Sequence, residues 1–173
     1  MSLNRTQSGF TLLEVMVAIV VLSLGLLGLA GLQAASLRNN QTAYYRGIAT
    51  QQAYDIADRL RANLAGVRAG NYNNLTAVIP ADPGCVAAGC SSANMAVTDH
   101  FQWNTTNAAL LPNGVGTVIC VDGPAAAGCA AATGNWIFNL TIMWTEKGMV
   151  GTDPNCPVGA PVNTRCFVTR ITP

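Results

Sequence analysis

The feature that most constrains this chain is an apolar run from Phe10 to Leu32, 23 residues with one charge, Glu14, and no proline, lysine or arginine. At about 1.5 Å of rise per residue, a helix of that length covers the roughly 30 Å hydrocarbon core of a bilayer. The run is too long for the apolar region of an ordinary secretory signal, about 7 to 15 residues, and no Ala-x-Ala cleavage site follows it. The chain is therefore expected to begin with a membrane-competent helix over 10–32. Within it Glu14 is the anomaly, because a carboxylate near the bilayer centre costs roughly 2.5 to 3.5 kcal/mol on insertion scales. Either Glu14 lies at headgroup level, where water reaches it, or it has a cationic partner.

Beyond the apolar run, a chain of 173 residues leaves material for one further domain. Only 10% of residues are charged and the formal net charge is +1, so no acidic or basic excess points to nucleic acid or to an anionic surface. Six cysteines, Cys85, Cys90, Cys120, Cys129, Cys156 and Cys166, all follow the membrane segment. An even count confined to that part argues for disulfides formed in an oxidising compartment. The sequence admits many pairings. The sequential one, Cys85 with Cys90, Cys120 with Cys129 and Cys156 with Cys166, is preferred because each spacing closes a short loop rich in Gly, Pro, Ala or Asn. A zinc site is the rival reading, but CxxC spacing is absent and only His100 adds an imidazole. Arg5 and Arg38 flank the apolar run and orient it weakly. The cysteines decide the orientation, with a cytoplasmic N-terminus and a periplasmic C-terminal part.

From Gln33 the composition turns amphipathic, and the helix is expected to continue over 33–64. Ile48, Gln52, Ile56 and Leu60 recur every four residues beside a small-residue row of Ala49, Ala53 and Ala57, a face suited to close packing on a sheet. Arg46, Asp55, Asp58, Arg59 and Arg61 form the polar complement, read as a solvated or subunit-facing surface with an Asp55–Arg59 pair. Glycines and asparagines between Asn63 and Asn74 end the helix. The remainder, 65–173, reads as a globular α+β head. Pro80 to Ser92 is a loop, and Asp99 with Gln102 resembles a capping box opening a short helix that runs to Leu111 before Pro112-Asn113-Gly114. His100, beside that cap, is placed at the surface. Strands are expected over Gly116–Val121, over Asn135–Thr145, where Trp136, Phe138, Leu140, Ile142 and Trp144 alternate with Ile137, Asn139, Thr141 and Met143, and over Arg165–Ile171, making an antiparallel sheet laid on the helix. Gly123 to Gly134 connects the first two. No phosphate-binding loop, nucleophile elbow or His-Glu-x-x-His occurs, so neither an enzyme nor a bound cofactor is expected.

The residues around the start of the apolar run carry a resemblance. Gly9-Phe10-Thr11-Leu12-Leu13-Glu14 resembles the class III leader of type IV pilins and pseudopilins, in which glycine precedes an aromatic residue and glutamate follows a few apolar positions. The resemblance implies that 1–9 is a leader, that a prepilin peptidase cuts after Gly9, that the new amine of Phe10 is methylated, and that Glu14 of one subunit pairs with the Phe10 ammonium of a neighbour. Gly25-Leu26-Leu27-Gly28-Leu29-Ala30-Gly31-Leu32-Gln33, Asn40-Gln41-Thr42-Ala43-Tyr44 and Ala53-Tyr54-Asp55-Ile56-Ala57-Asp58-Arg59-Leu60-Arg61-Ala62-Asn63 look like the PilV family of minor pilins, the type IV pilus modification proteins. That likeness implies a type IV pilin-like α+β fold, a long helix packed on a small antiparallel sheet with disulfide-bonded loops. It further implies an inner-membrane subunit later drawn into the pilus fibre, priming assembly, sitting in the tip complex and serving twitching motility and adhesion. Its partners would be other minor pilins, the major pilin, the inner-membrane assembly platform, a tip adhesin and, before assembly, membrane lipid. Gly25, Gly28 and Gly31 admit two readings, close helix packing in lipid or a stretch that melts when the subunit leaves the bilayer. A minor pseudopilin of type II secretion and a single-pass anchored periplasmic binding module remain as alternatives.

Overall fold

The computed structural model describes residues 9–85, 89–124, 129 and 135–173. Residues 1–8, with Arg5, and most of the Gly123–Gly134 connection lie outside the described residues. The chain divides into two compact units, Met1–Thr42 and Ala43–Pro173. One helix, α1 (Leu12–Ala62), contributes to both.

In the first unit α1 is apolar on every side as far as Leu32. Its most apolar window has a mean hydropathy of 2.6 and none of it is buried. This is helix built for a non-aqueous solvent, since water would leave the whole leucine- and valine-rich surface uncompensated.

In the second unit the same helix becomes one-sided. Its buried residues are Ile48, Ala49, Gln52, Ala53, Ile56, Ala57 and Leu60, the two rows legible from the four-residue spacing. After Ala62, Asn63 caps a short helix, α2 (Leu64–Arg68), its side-chain oxygen accepting from the Gly66 N–H at 3.1 Å. Then come a two-residue strand β1 (Asn74–Leu75), a helix α3 (Ser92–Leu110), and strands β2 (Val115–Asp122), β3 (Ile137–Thr145) and β4 (Thr164–Ile171). The strands form one antiparallel sheet in the order β1-β2-β3-β4. The period-2 pattern of β3 works as the sequence predicts: Phe138, Leu140, Ile142 and Trp144 are buried together with the helix residues Ile56 and Leu60.

Three local expectations are corrected. α3 starts at Ser92, not at Asp99: Ser91 is the cap, accepting from the Asn94 N–H at 3.2 Å. Asp99 and Gln102 are mid-helix residues whose oxygens turn to Arg59 instead of to the backbone. His100 is buried, with Nε2 2.7 Å from the Thr76 carbonyl. β1, too short to show a period, was not anticipated. The expected stop holds, with Asn113 in the left-handed region at φ 51° and the Gly114 N–H reaching back to the Leu111 carbonyl.

α3 is seated on β2 by one large side chain. Trp103 is fully buried, and its indole N–H donates to the Gln52 carbonyl of α1 at 2.9 Å. The ring lies so close over Gly116 that an added Cβ there would meet Trp103 Cη2 at 2.2 Å. Asn104 completes the seat, accepting from the Gly116 N–H at 2.6 Å and donating to the Gly116 carbonyl at 3.0 Å. Gly116→Ala should therefore lower stability by about 1–3 kcal/mol through overpacking. Gly47→Ala, at a helical glycine with nothing within 4 Å, should be neutral or stabilising by up to about 1 kcal/mol. Thermal melts of the full chain in detergent compare the two.

Candidate functional site

The start of α1 arranges the leader-proximal residues on one side. Gly9 and Phe10 precede the helix, and Thr11 opens it: the Glu14 N–H reaches the Thr11 carbonyl at 3.1 Å and its hydroxyl at 3.3 Å. Glu14 thus falls in the first turn, where its negative charge also meets the positive end of the helix dipole, an effect worth about 0.3–1 kcal/mol at an exposed site. Phe10, Glu14, Val15, Ala18, Ile19 and Leu22 line one concave face, the i, i+4 and i+1 rows of a helix. The aromatic ring is 82% exposed. This face presents one acid framed by apolar residues and one small residue, Ala18, that permits close approach of another helix. A neighbouring helix laid on it in lipid would have to satisfy Glu14 with a cation or a donor.

Gly25, Gly28 and Gly31 lie farther along, inside an unbroken α1, with open space where a Cβ would stand. The six cysteines form three bridges in sequence order, Cys85–Cys90, Cys120–Cys129 and Cys156–Cys166, with Cα separations of 5.1, 5.1 and 5.2 Å. No cysteine is left for metal, and no group of three or more metal-ligating side chains occurs among the described residues.

The head's charged residues serve its packing. Arg59 is the hub: Nε donates to Asp55 at 2.9 Å, while Nη1 donates to Asp99 at 3.2 Å and to Gln102 at 2.9 Å. Asp99 also accepts from the Tyr72 hydroxyl in a short bond, and the Asn63 amide donates to Tyr72 at 3.0 Å and to the Ser92 carbonyl at 2.8 Å. Of the polar residues expected to face solvent or a neighbour, Asp58 and Arg61 are exposed, whereas Arg59, with Asp55 beside it, clamps the end of α1 to the first half of α3. Burial works against the Arg59 charge, but the bonds to Asp55 and Asp99 outweigh it and hold its pKa above the ordinary arginine value. Burial and the bond to Asp99 push the Tyr72 phenol well above its usual range. A second cluster pins the C-terminal loop. Arg165 pairs with Glu146 at 2.8 Å and lies 3.6 Å from Asp153. Burial opposes ionisation of Asp153, yet the Asn155 N–H groups at 3.0 Å and Arg165 lower its pKa.

With this geometry in place, comparison with protein families decides the class. A family model described as the prokaryotic N-terminal methylation motif matches residues 4–30. The motif marks a type IV pilin- or pseudopilin-like protein. It also implies processing by a prepilin peptidase and assembly within a pilin system. No curated protein and no solved structure matches the chain. The matched stretch contains Phe10, Glu14 and the glycines Gly25 and Gly28, so the concave face and the methylation motif coincide. The same residues belong to a helix long and apolar enough to cross a membrane, which is consistent with membrane anchoring through α1.

Sequence reasoning missed two features of this pilin-like head, the Arg59 hub and the burial of His100. The arginine's i, i+4 carboxylate was visible, but Asp99 and Gln102 stand 40 and 43 residues away, beyond any local pattern. His100 has a testable consequence. Burial lowers its pKa, and the contact with Thr76 offsets this only in part. The unfolded chain therefore takes up a proton near pH 6.5 that the folded head resists, so stability falls as pH drops through that value. Chemical unfolding of the full chain between pH 7.5 and 5.5, values chosen to be about one unit either side of the free imidazole, should show this slope in the wild type and a flatter one in His100→Gln.

Proposed function

We propose that this protein is a minor pilin of the PilV family, a structural subunit and not an enzyme, that helps prime type IV pilus assembly and takes a place in the tip complex, serving twitching motility and adhesion. The observation that carries the proposal is the coincidence at the head of α1: a Gly9-Phe10 junction, an exposed aromatic side chain, and Glu14 on the same face as Phe10. A prepilin peptidase cuts after Gly9, the freed amine of Phe10 is methylated, and the mature subunit begins at that ammonium. In a bundle of such helices one subunit's ammonium meets a neighbour's Glu14. Each buried charge is costly alone, and the pair removes both penalties while setting the axial register.

The uniform apolar surface of α1 holds the subunit in the inner membrane, and the three bridges of the head require an oxidising compartment, here the periplasm. The assembly platform draws the subunit out of lipid. Other minor pilins, the major pilin and a tip adhesin then replace lipid as its surroundings. Gly25, Gly28 and Gly31 lower helix propensity by roughly 1 kcal/mol each relative to alanine in water, and they are where α1 would loosen as it leaves the bilayer. The Ala53–Asn63 segment, with its likeness to PilV, favours a pilus subunit over a type II secretion pseudopilin.

Mass spectrometry of protein purified from its host should find residues 1–9 gone and one methyl group on Phe10; an intact leader would instead identify a single-pass anchored module. Glu14→Ala should leave membrane insertion and leader removal unchanged while incorporation into sheared surface fibres falls at least about tenfold, the loss of roughly 1.4 kcal/mol of docking. Incorporation equal to wild type would remove the pairing role from Glu14.

A further inference from the structure

β4 is the last strand of the sheet, and among the described residues no other strand pairs with its outer side. Its register with β3 places Phe167, Thr169 and Ile171 on the same sheet face as the core residues Ile142, Leu140 and Phe138. α1 does not close over that edge. A groove remains between the strand and the helix, lined along one stretch by Thr50, Tyr54, Arg61, Thr169 and Arg170, and along the next by Arg46, Asn155 and Val168, with Phe167 common to both.

The charge of this groove is one-sided. Arg46 and Arg170 are exposed and form no ion pair among the described residues, while Arg61 is held at 2.9 Å by Asp58, a largely exposed pair that water screens. No acid lines either stretch. An open strand edge offers a row of backbone donors and acceptors to any extended segment that aligns with it. Side chains on that segment would alternate between the α1 side of the sheet, where Arg46 and Tyr54 stand, and the opposite side, toward which Arg170 projects from between the core-facing Thr169 and Ile171, so that an acid on either side meets an arginine. A second copy of this chain is disfavoured as the occupant, because edge-to-edge pairing would bring the unpaired arginines of two molecules together.

We propose that the β4 edge takes an extended, carboxylate-bearing strand of a different protein, adding it to the sheet as a fifth strand with acids on both of its faces, one against Arg46 and one against Arg170. This surface belongs to the head and is separate from the Phe10–Glu14 face, so the proposal stands or fails independently of the minor-pilin reading.

The test uses the full chain in detergent and synthetic peptides of about ten residues, the upper end of ordinary strand length. One peptide repeats two valines followed by two glutamates, which sets acids on both faces of a strand, its twin carries lysine in place of glutamate, and a third is the acidic peptide with methylated backbone nitrogens. The acidic peptide should slow hydrogen exchange in Phe167–Thr172 specifically. It should bind at least about tenfold more tightly than the lysine twin, with the difference shrinking at high salt. Backbone methylation should abolish binding, because it removes the ladder donors. Arg46→Glu with Arg170→Glu should weaken the acidic peptide about tenfold or more and favour the basic one, reversing the preference in a way that loss of folding cannot. Equal binding of the two peptides, protection elsewhere than β4, or concentration-dependent self-association through β4 without peptide would each overturn the proposal.

Discussion

Everything in this chain follows from one helix having to satisfy two solvents. Leu12–Ala62 is a single continuous element, but the rule for its side chains changes partway along. Up to Leu32 the apolar residues go all the way round and none is buried within the protein. From Ile48 onward they are confined to two adjoining rows, and those rows are buried. An all-round apolar surface is stable only where the surroundings are themselves apolar, either lipid or other helices of the same kind. A one-sided surface needs a sheet on one side and water on the other. The change of pattern therefore specifies a subunit with a membrane-compatible half and a self-contained head.

The two halves also treat acids differently. In the head, Asp99 is placed between the Arg59 guanidinium and the Tyr72 hydroxyl, so its charge is met within the molecule and fixes how α3 lies on α1. Glu14 has no such partner among the described residues, where the Thr11 hydroxyl engages the Glu14 backbone and not its carboxylate. A carboxylate met internally stabilises a fold, whereas one left open on an apolar face creates a demand on the next molecule. The contrast separates an open acid at the start of α1, which the proposed docking role would use, from the better-bonded acid in the head, which is architecture.

How much of this was legible in the sequence depends on the range over which each interaction acts. The period of four in Ile48, Gln52, Ile56 and Leu60 and the period of two in Phe138, Leu140, Ile142 and Trp144 are local patterns, and both faces are buried as read. The stop at Pro112-Asn113-Gly114 is likewise local chemistry. The start of α3 was misplaced because Asp99 and Gln102 have the spacing of a capping box, yet Arg59 takes both side chains and Ser91 does the capping. His100 was put at the surface because a lone histidine beside a presumed helix start carries no periodic signal, and its contact with Thr76 spans 24 residues of chain. At the membrane end the reverse holds: Gly9, Phe10, Glu14 and the start of the apolar run are all within a few turns, and that local pattern coincides with the methylation motif matched over residues 4–30.

The head shows what replaces a large core when few residues are charged and many are small. Beyond the helix rows and the sheet, the chain is loop-rich, and each cysteine pair closes one of those loops or anchors it to a strand: Cys120 and Cys166 belong to β2 and β4, and their partners Cys129 and Cys156 lie outside the strands. In the chain-entropy account, closing a loop of about ten residues removes roughly 2–3 kcal/mol of unfolded-state freedom. Loops of alanine, glycine and asparagine cannot supply that amount through burial, because their side chains remove little apolar surface from water. The bridges also act where the sheet is weakest, at the ends of β2 and β4 and not in the fully packed β3. An edge strand pinned in this way keeps its backbone extended without a neighbour, which is the condition for leaving one side of β4 open in a folded head.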